Sequence, residues 1–270
     1  MRVMKTSPVM VNKKEKPLKV YDASEKKVTS YLRKISVKIA LIIGVIFFGC
    51  TALVTTLVVV VHTSNLRASG AEYEYLRGLA GDTAPFFDAG GTVQFSALDE
   101  EMRAINADYV CWIKVDGTNI DYPVVRGPDN ETYLNTSFYG EPNIAGALFM
   151  DYRNTGDPIP HIIIYGHNLQ AGGMFTDLRK FLDDQFLEDN NVITLTVNGH
   201  PVRFEIFSAR MTDVDDPAYY LNFSTQRYFA RFADRIGAPL IATQIITLST
   251  CVSGGSDDLR LVVQGYRLWD

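Results

Sequence analysis

Cys251 is the residue of this chain best placed for covalent chemistry. It ends the run Thr-Leu-Ser-Thr-Cys at 247–251, and the small, polar run Val-Ser-Gly-Gly-Ser follows it. A thiol that is held by a buried strand and open on the side of a loop can attack a substrate carbonyl as its thiolate. The alternative is a small hydrophobic residue at a strand end. Position alone therefore leaves a nucleophile and a structural thiol both open.

Four histidines could exchange a proton with such a thiol. His62 flanks a long apolar run, and His200 lies in a predicted hairpin. His161 begins the run His-Ile-Ile-Ile-Tyr, where it could cap a strand. His167 follows that strand in the run Tyr-Gly-His-Asn, and Gly166 permits a tight turn that presents the ring at an edge. His167 is therefore the candidate acid or base.

Arg260 is the candidate cationic group. It opens the last predicted strand nine positions after Cys251, so a hairpin would return its guanidinium toward the thiol. A guanidinium offers five fixed donors and keeps its charge at every working pH. Such a group suits a substrate carbonyl or the oxyanion of a tetrahedral intermediate. Without Cys251 and His167, an isolated arginine would be interpreted as part of a solvated face.

The elements that must position these residues are short strands. From Val110 the apolar positions recur with a period of two. The β-branched and aromatic runs predict strands at 110–115, 119–125, 145–150, 161–165, 192–198, 201–209, 241–250 and 259–268. Short helices are predicted from Ser96 and at 224–236, the second with Phe229, Phe232, Ala233 and Ile236 on one stripe. This pattern predicts a barrel or a sandwich.

A two-residue hairpin is predicted where the fifth and sixth of these strands meet. The connecting residues are Asn198 and Gly199, between Val197 and His200. Both central residues tolerate positive φ, which a type I′ turn requires.

Residues 39–61 predict a membrane span. This run of 23 positions has no charged side chain, and a helix of that length crosses the hydrocarbon core of a bilayer. A cleaved signal peptide is the alternative, although its apolar part is usually shorter and nearer the N-terminus. The predicted organisation is a tail (1–38), a transmembrane helix (39–61), a stalk with a leading helix (62–95) and an outer domain (96–270).

The charge distribution predicts the orientation of this span. Residues 1–38 carry 11 Lys or Arg against 3 Asp or Glu, so the tail should stay in the cytoplasm and everything after His62 should lie outside the cell membrane. The tail's net charge of +8 and the formal total of −5 leave −13 on the other residues. An acidic outer part gives no sign of nucleic-acid binding.

The three cysteines are too few for a disulfide scaffold. Cys50 lies in the apolar run and Cys111 is expected in the core, although a bridge between Cys111 and Cys251 stays open. A metal site of His161, His167 and Asp151 lacks a compact ligand spacing. No metal and no cofactor are therefore predicted.

Together these motifs resemble the sortases, and most closely class B. The resemblance rests on the run that ends at Cys251, the Tyr-Gly-His-Asn run around His167 with Gly-Met-Phe at 173–175, and the Leu-Arg-Leu-Val-Val run around Arg260. Further matching runs are Trp-Ile at 112–113, Gly-Thr-Asn-Ile-Asp-Tyr-Pro-Val at 117–124, Asp-Asn at 129–130 and Gly-Ala-Leu-Phe-Met-Asp at 146–151. It covers about residues 96–269.

The resemblance implies an eight-stranded sortase-type β-barrel with short peripheral helices, and a catalytic domain over 96–270. Cys251 would attack a Thr carbonyl in the C-terminal sorting signal of a surface protein and leave a thioester. An amino group of cell-wall peptide or of its lipid-linked precursor would take the acyl group. His167 would protonate the leaving amine, and Arg260 would bind substrate and oxyanion. Class B chemistry implies no metal.

The predicted substrate-binding residues lie on two segments. Ser249 and Thr250 precede the nucleophile, and Tyr219, Tyr220 and Leu221 lie in the connection 211–239. A connection this long is usually functional or disordered, and the resemblance places it beside the substrate groove. The alternative is a helix that only covers the barrel.

Other functions fit parts of the sequence. A membrane-tethered module could bind peptide while Cys251 stays inert, a sortase could polymerise pilins, and water could resolve a thioester by hydrolysis. A papain-like protease has its cysteine before its histidine, whereas here His167 precedes Cys251.

Overall fold

The chain divides into two compact units, Met1–Val61 and His62–Asp270. This computed structural model describes residues 20–82, 86–87, 93–94, 96–156, 158–169, 172–251 and 258–269. Part of the predicted cytoplasmic tail, residues 1–19, lies outside the described residues. The whole run Val-Ser-Gly-Gly-Ser that follows Cys251, residues 252–256, lies outside them too.

The predicted span lies within one long helix. Helix α1 runs from Val20 to Asp82. Its most apolar 18-residue window has a mean hydropathy of 2.5, and none of that window is buried in the protein. By length and composition the helix is a candidate membrane span.

Eight strands of the second unit close into a barrel. A short pair, β1 (Phe86–Phe87) with β2 (Val93–Gln94), precedes them. The barrel strands are β3 (Tyr109–Val115), β4 (Asp121–Val125), β5 (Leu148–Met150), β6 (His161–Tyr165), β7 (Val192–Val197), β8 (His200–Thr212), β9 (Ile245–Cys251) and β10 (Arg260–Arg267). Their order around the barrel is β10-β8-β7-β3-β4-β5-β6-β9. The pairs β4–β5 and β6–β9 are parallel, and the other neighbours are antiparallel.

Short helices lie between the strands. The α-helices are α2 (Ser96–Ile105), α3 (Asp184–Asp189) and α4 (Gln226–Arg235). Single turns of 3-10 helix lie at Thr132–Leu134 and Pro217–Tyr219, and a longer 3-10 segment at Thr176–Leu182.

The β7–β8 hairpin forms as the sequence predicts. Val197 and His200 are paired, and Asn198 and Gly199 between them have φ angles of 48° and 76°. Positive φ at both positions is what a type I′ turn needs, and these two residues reach it with little strain.

The barrel core extends to the last turns of α1. Tyr73 and Leu76 are buried in the same hydrophobic cluster as the barrel residues Ile113 and Val124. The hydroxyl of Tyr73 donates to the carbonyl of Gly146 at 2.7 Å. The helical part of the predicted stalk is therefore packed on the barrel by both apolar and polar contacts.

Helix α4 buries its apolar stripe as predicted. Phe229, Phe232, Ala233 and Ile236 form a second hydrophobic cluster with Ile245, the first residue of β9. This contact fixes the connection between β8 and β9 against the barrel wall.

Candidate active site

Cys251 and Arg260 meet at one end of the barrel. Cys251 is the last residue of β9, Arg260 is the first of β10, and their Cα atoms are partners in the antiparallel ladder. The six residues before Cys251 on β9 are buried, whereas Cys251 is exposed. The thiol therefore has a rigid backbone and an open face, as its position in the sequence suggests.

Strand β6 carries His167 to the same end. It runs parallel to β9, and Tyr165 pairs with Ser249. His167 and Cys251 each lie two residues beyond this pair. The side-chain amide of Asn168 donates to the carbonyl of Cys251 at 3.1 Å and ties the two chain segments together. The structure thus brings together the three residues predicted to be catalytic.

The ring of His167 has a defined orientation. Its Nε2 lies 2.7 Å from the carbonyl oxygen of Leu134. Because a carbonyl can only accept, Nε2 carries a proton. In the neutral ring Nδ1 is then the nitrogen that can accept a proton.

Gly166 is required by packing rather than by a special turn. A Cβ at this position would lie 2.3 Å from Leu148 Cδ2 and 2.9 Å from the ring of Phe175. The backbone of β6 therefore approaches these two side chains more closely than any other residue would allow. The tight turn expected from the sequence is not the reason for this glycine.

An open cleft of about 530 Å³ surrounds these residues. Its lining comprises Asn130, Leu134, Phe149, Arg153, Tyr165, Gly166, His167, Val214, Tyr219, Ser249, Thr250, Cys251 and Arg260. Its lining combines apolar side chains with a few polar groups, as the lining of ligand-binding clefts does.

The buried carboxylate of Asp151, for which the sequence suggested only a rejected metal site and a matching run, organises one wall of the cleft. Asp151 accepts hydrogen bonds from Arg153 at 2.9 and 2.7 Å, from Asn130 at 3.0 Å and from the hydroxyl of Tyr165 at 2.9 Å. Burial alone would raise the pKa of Asp151, but the bonds from Arg153, Tyr165 and Asn130 hold it below the usual value. All three donors line the cleft.

Tyr219 and Ser249, both predicted to contact substrate, lie together at the cleft. The hydroxyl of Tyr219 and Ser249 Oγ are 2.8 Å apart, and the ring of Tyr219 stacks on that of Tyr165 at 6.5 Å. Burial raises the pKa of Tyr219. The phenol therefore stays neutral and able to donate at physiological pH.

The described residues contain no group of three or more His, Cys, Asp or Glu that could hold a metal ion. The three cysteines are free, and Cys111 is buried in the core.

Comparison with known proteins shows which family the chain belongs to. A sortase domain model matches residues 113–268. Sortase B of Listeria monocytogenes is 34% identical over 178 residues, which cover 61% of this chain and 72% of that protein. A Staphylococcus aureus sortase B–substrate complex has a TM-score of 0.64 and 28% identity, covering 75% of this chain and 97% of the other. A sortase B complexed with triglycine has the same TM-score and identity, covering 75% and 98%. The chain belongs to the sortase family.

These relatives are class B sortases, and this sortase is a class B enzyme with their closed eight-stranded barrel. It is therefore a cysteine transpeptidase.

Two of the residues predicted to bind substrate lie away from the lining of the sortase cleft. The ring of Tyr220 packs on Phe223 at 5.3 Å and Phe232 at 6.5 Å, next to α4. Leu221 follows it in the same connection and is half-buried. Thr250 does line the cleft, and its buried hydroxyl has no hydrogen-bond partner among the described residues.

His161 has a structural position in the barrel wall. Its Nδ1 lies 2.8 Å from the carbonyl oxygen of Tyr220, and its Nε2 lies 2.8 Å from Thr247 Oγ1. The carbonyl can only accept, so Nδ1 is protonated and Nε2 accepts from the hydroxyl of Thr247. Gln264 Nε2 donates to the same hydroxyl oxygen at 3.0 Å. Burial lowers the pKa of His161 to about 4, which keeps the ring neutral at pH 7.

Proposed function

We propose that this sortase cleaves the C-terminal sorting signal of surface proteins after a Thr residue, through a thioester on Cys251. It then transfers the acyl group to an amino group of cell-wall peptide or of its lipid-linked precursor. The observation that carries this proposal is that Cys251, His167 and Arg260 line one open cleft at the end of the barrel. A Staphylococcus aureus sortase B solved as a complex with substrate supports substrate binding by this chain.

In the acylation step, the Cys251 thiolate attacks the carbonyl carbon of the Thr residue. The carbonyl π electrons move to oxygen, and the guanidinium of Arg260 stabilises that oxyanion. The C–N bond then breaks, and the leaving amine takes a proton from Nδ1 of the protonated His167 ring. The products are a thioester and a free peptide amine.

In the transfer step, an acceptor amine attacks the thioester carbonyl. The amine gives a proton to His167 Nδ1, and the C–S bond breaks to restore the Cys251 thiolate. The complex of a sortase B with triglycine supports an amine of this kind as the acceptor. The substrate peptide is proposed to have a Pro at its second position and Thr before the cut, as in NPxTN or PxTG types.

We also propose that residues 39–61 anchor the enzyme in the cell membrane with residues 1–38 in the cytoplasm. The candidate span in α1 and the positive charge of the tail support this orientation. Protease added to intact spheroplasts should digest the catalytic domain and spare the tail. Protection of the domain would overturn the orientation.

A product assay tests the activity. The full chain in detergent is incubated with an NPxTN-type peptide alone, with triglycine or with a lysine-bearing acceptor protein, and the products are identified by mass spectrometry. Cleavage after Thr with an amide to triglycine is the expected result. Cleavage that yields only the free acid would make the protein a hydrolase. Peptide binding without cleavage would favour a binding module, and transfer only to a protein lysine would favour polymerisation.

A further inference from the structure

A second pocket adjoins the catalytic cleft. It has a volume of about 450 Å³ and lies between the 3-10 turn Pro217–Tyr219 and helix α4. Val214 and Tyr219 line both this pocket and the cleft. A chain that extends from the cleft across Tyr219 would therefore enter the second pocket.

Two arginines of α4 line this pocket without partners. Arg231 and Arg235 are four residues apart and so lie on one face of the helix. Neither guanidinium makes a hydrogen bond or an ion pair within the part of the chain that the structure describes. By contrast, Arg153 and Arg210 are each paired with an aspartate, at 2.7 and 2.6 Å. The pocket therefore presents two guanidiniums whose donors are available to a ligand.

The opposing charges at this pocket are few. Asp215 and Asp216 also line it. Asp216 is committed to Arg210 at 2.6 Å and to the backbone N–H of Ala218 at 2.7 Å. Asp215 is exposed and is the remaining carboxylate that could repel an anionic ligand.

The rest of the lining is aromatic. The rings of Tyr219, Tyr220, Tyr228 and Phe232 line the pocket with the two arginines. Aromatic walls offer contact area to a peptide backbone and to aliphatic side-chain stems, while a guanidinium binds a carboxylate through two parallel hydrogen bonds. An acidic residue of an extended peptide fits both parts of the lining, since its carboxylate matches a guanidinium and its backbone and stem match the aromatic walls.

We propose that this pocket is a substrate subsite for a Glu or Asp residue that flanks the sorting motif, bound by Arg231 and Arg235. The proposal rests on the proposed function, because the flanking residue belongs to a peptide held in the catalytic cleft. Residues of α4 would then select substrates by a residue that lies outside the sorting motif.

The test compares acidic and neutral flanks on one motif peptide. Two peptide series carry a Glu pair on the amino or the carboxyl side of the motif, and each has a Gln-substituted match. We expect one Glu series to have a kcat/KM roughly three- to tenfold above its Gln match in the wild-type enzyme at low salt. The gain should fall at high salt, because exposed charges are screened.

Substitutions on α4 test whether the preference for Glu peptides comes from Arg231 and Arg235. The double variant Arg231→Gln/Arg235→Gln should lose the Glu preference while it cleaves the Gln peptides at the wild-type rate. Arg227→Gln is the matched control, since Arg227 is an exposed arginine of the same helix outside the pocket lining, and it should keep the preference. Asp215→Asn should increase the preference, because it removes the opposing carboxylate.

Four outcomes would each contradict one of the two proposals. Equal rates for Glu and Gln peptides in both series of the wild-type enzyme would overturn the subsite. So would a Glu preference that persists in the double variant or disappears in Arg227→Gln. A lack of cleavage of every peptide, including the Gln peptides, would instead contradict the proposed transpeptidase function on which the subsite rests.

Discussion

Cys251 and Arg260 are Cα partners on adjacent antiparallel strands, at the point where β9 ends and β10 begins. The ladder continues for six further pairs up to Ile245 and Tyr266, so the position of one backbone fixes that of the other. Sheet register thus fixes the backbone of Arg260 beside that of Cys251, the proposed nucleophile.

The pairing of Arg260 with Cys251 predicts that the planar shape of the guanidinium matters for activity as well as its positive charge. A guanidinium offers a fixed fork of donors, whereas an ammonium offers a point charge. Arg260→Lys should therefore lose nearly as much kcat as Arg260→Ala, by roughly 10² to 10³, the usual loss for a missing oxyanion donor. Steady-state cleavage of a sorting-signal peptide measures this.

Arg267→Lys is the matched control, because Arg267 lies at the other end of the same strand. It should keep nearly full activity. Wild-type turnover in Arg260→Lys would show that Arg260 contributes only a positive charge.

His167 should act in proton transfer through Nδ1, since Leu134 holds Nε2. His167→Ala should lower kcat by about 10² to 10⁴, the usual contribution of general acid–base catalysis. His200→Ala, at an exposed hairpin position, should leave kcat unchanged. Near-normal turnover in His167→Ala would show that another group exchanges the proton.

The local patterns were sufficient to predict most strands of the barrel. Two differences have clear causes. Strand β5 spans only Leu148–Met150 rather than 145–150, because Gly146 has a φ of 60° and the chain turns there. Strand β8 continues to Thr212 rather than ending at 209, because its last residues pair with β10 as far as Arg260. Such pairing depends on a distant strand, which local periodicity does not report.

Local sequence patterns also do not report the tertiary contacts of the candidate active site. Position at or next to a predicted strand end makes Cys251, His167 and Arg260 candidates, and the structure places all three in one cleft. The hydrogen bonds of Asp151 join Asn130, Arg153 and Tyr165 through tertiary contacts, and no spacing rule connects these residues. The signal in the sequence is that Asn130, Asp151 and Tyr165 fall in runs that resemble the family.

The buried His161 predicts a pH dependence of stability. Its pKa is about 4 in the folded state against 6.5 for an ordinary histidine, so the unfolded chain binds the extra proton between these values. The stabilisation is therefore complete above about pH 6.5 and is lost as the pH falls toward 4. Between pH 7 and 5 the loss should be roughly 2 kcal/mol.

Urea unfolding followed by tryptophan fluorescence can measure this, because Trp112 and Trp269 both lie in the second unit. His161→Gln should be less stable at pH 7 and should show a smaller decrease between pH 7 and 5. An equal decrease in both proteins would show that His161 does not titrate as its burial predicts.

The two cysteines of the second unit, Cys111 and Cys251, should differ in reactivity. Burial, with the charge of Asp99, raises the pKa of Cys111 to about 12, and the side chain is in the core. Iodoacetamide at pH 8 should therefore modify Cys251 and leave Cys111 unmodified until urea is added, as judged by peptide mapping. Equal modification of both thiols in the folded protein would contradict this assignment of the core and of the nucleophile.

The most direct test of the central claim is the intact mass of the enzyme during turnover. The full chain is mixed with a sorting-signal peptide without an acceptor amine, quenched in acid and analysed by mass spectrometry. We expect an adduct equal in mass to the acyl part of the peptide, located on Cys251, released by hydroxylamine and absent in Cys251→Ala. Cleavage by Cys251→Ala at the wild-type rate, or an adduct on another residue, would contradict the assignment of Cys251 as the nucleophile.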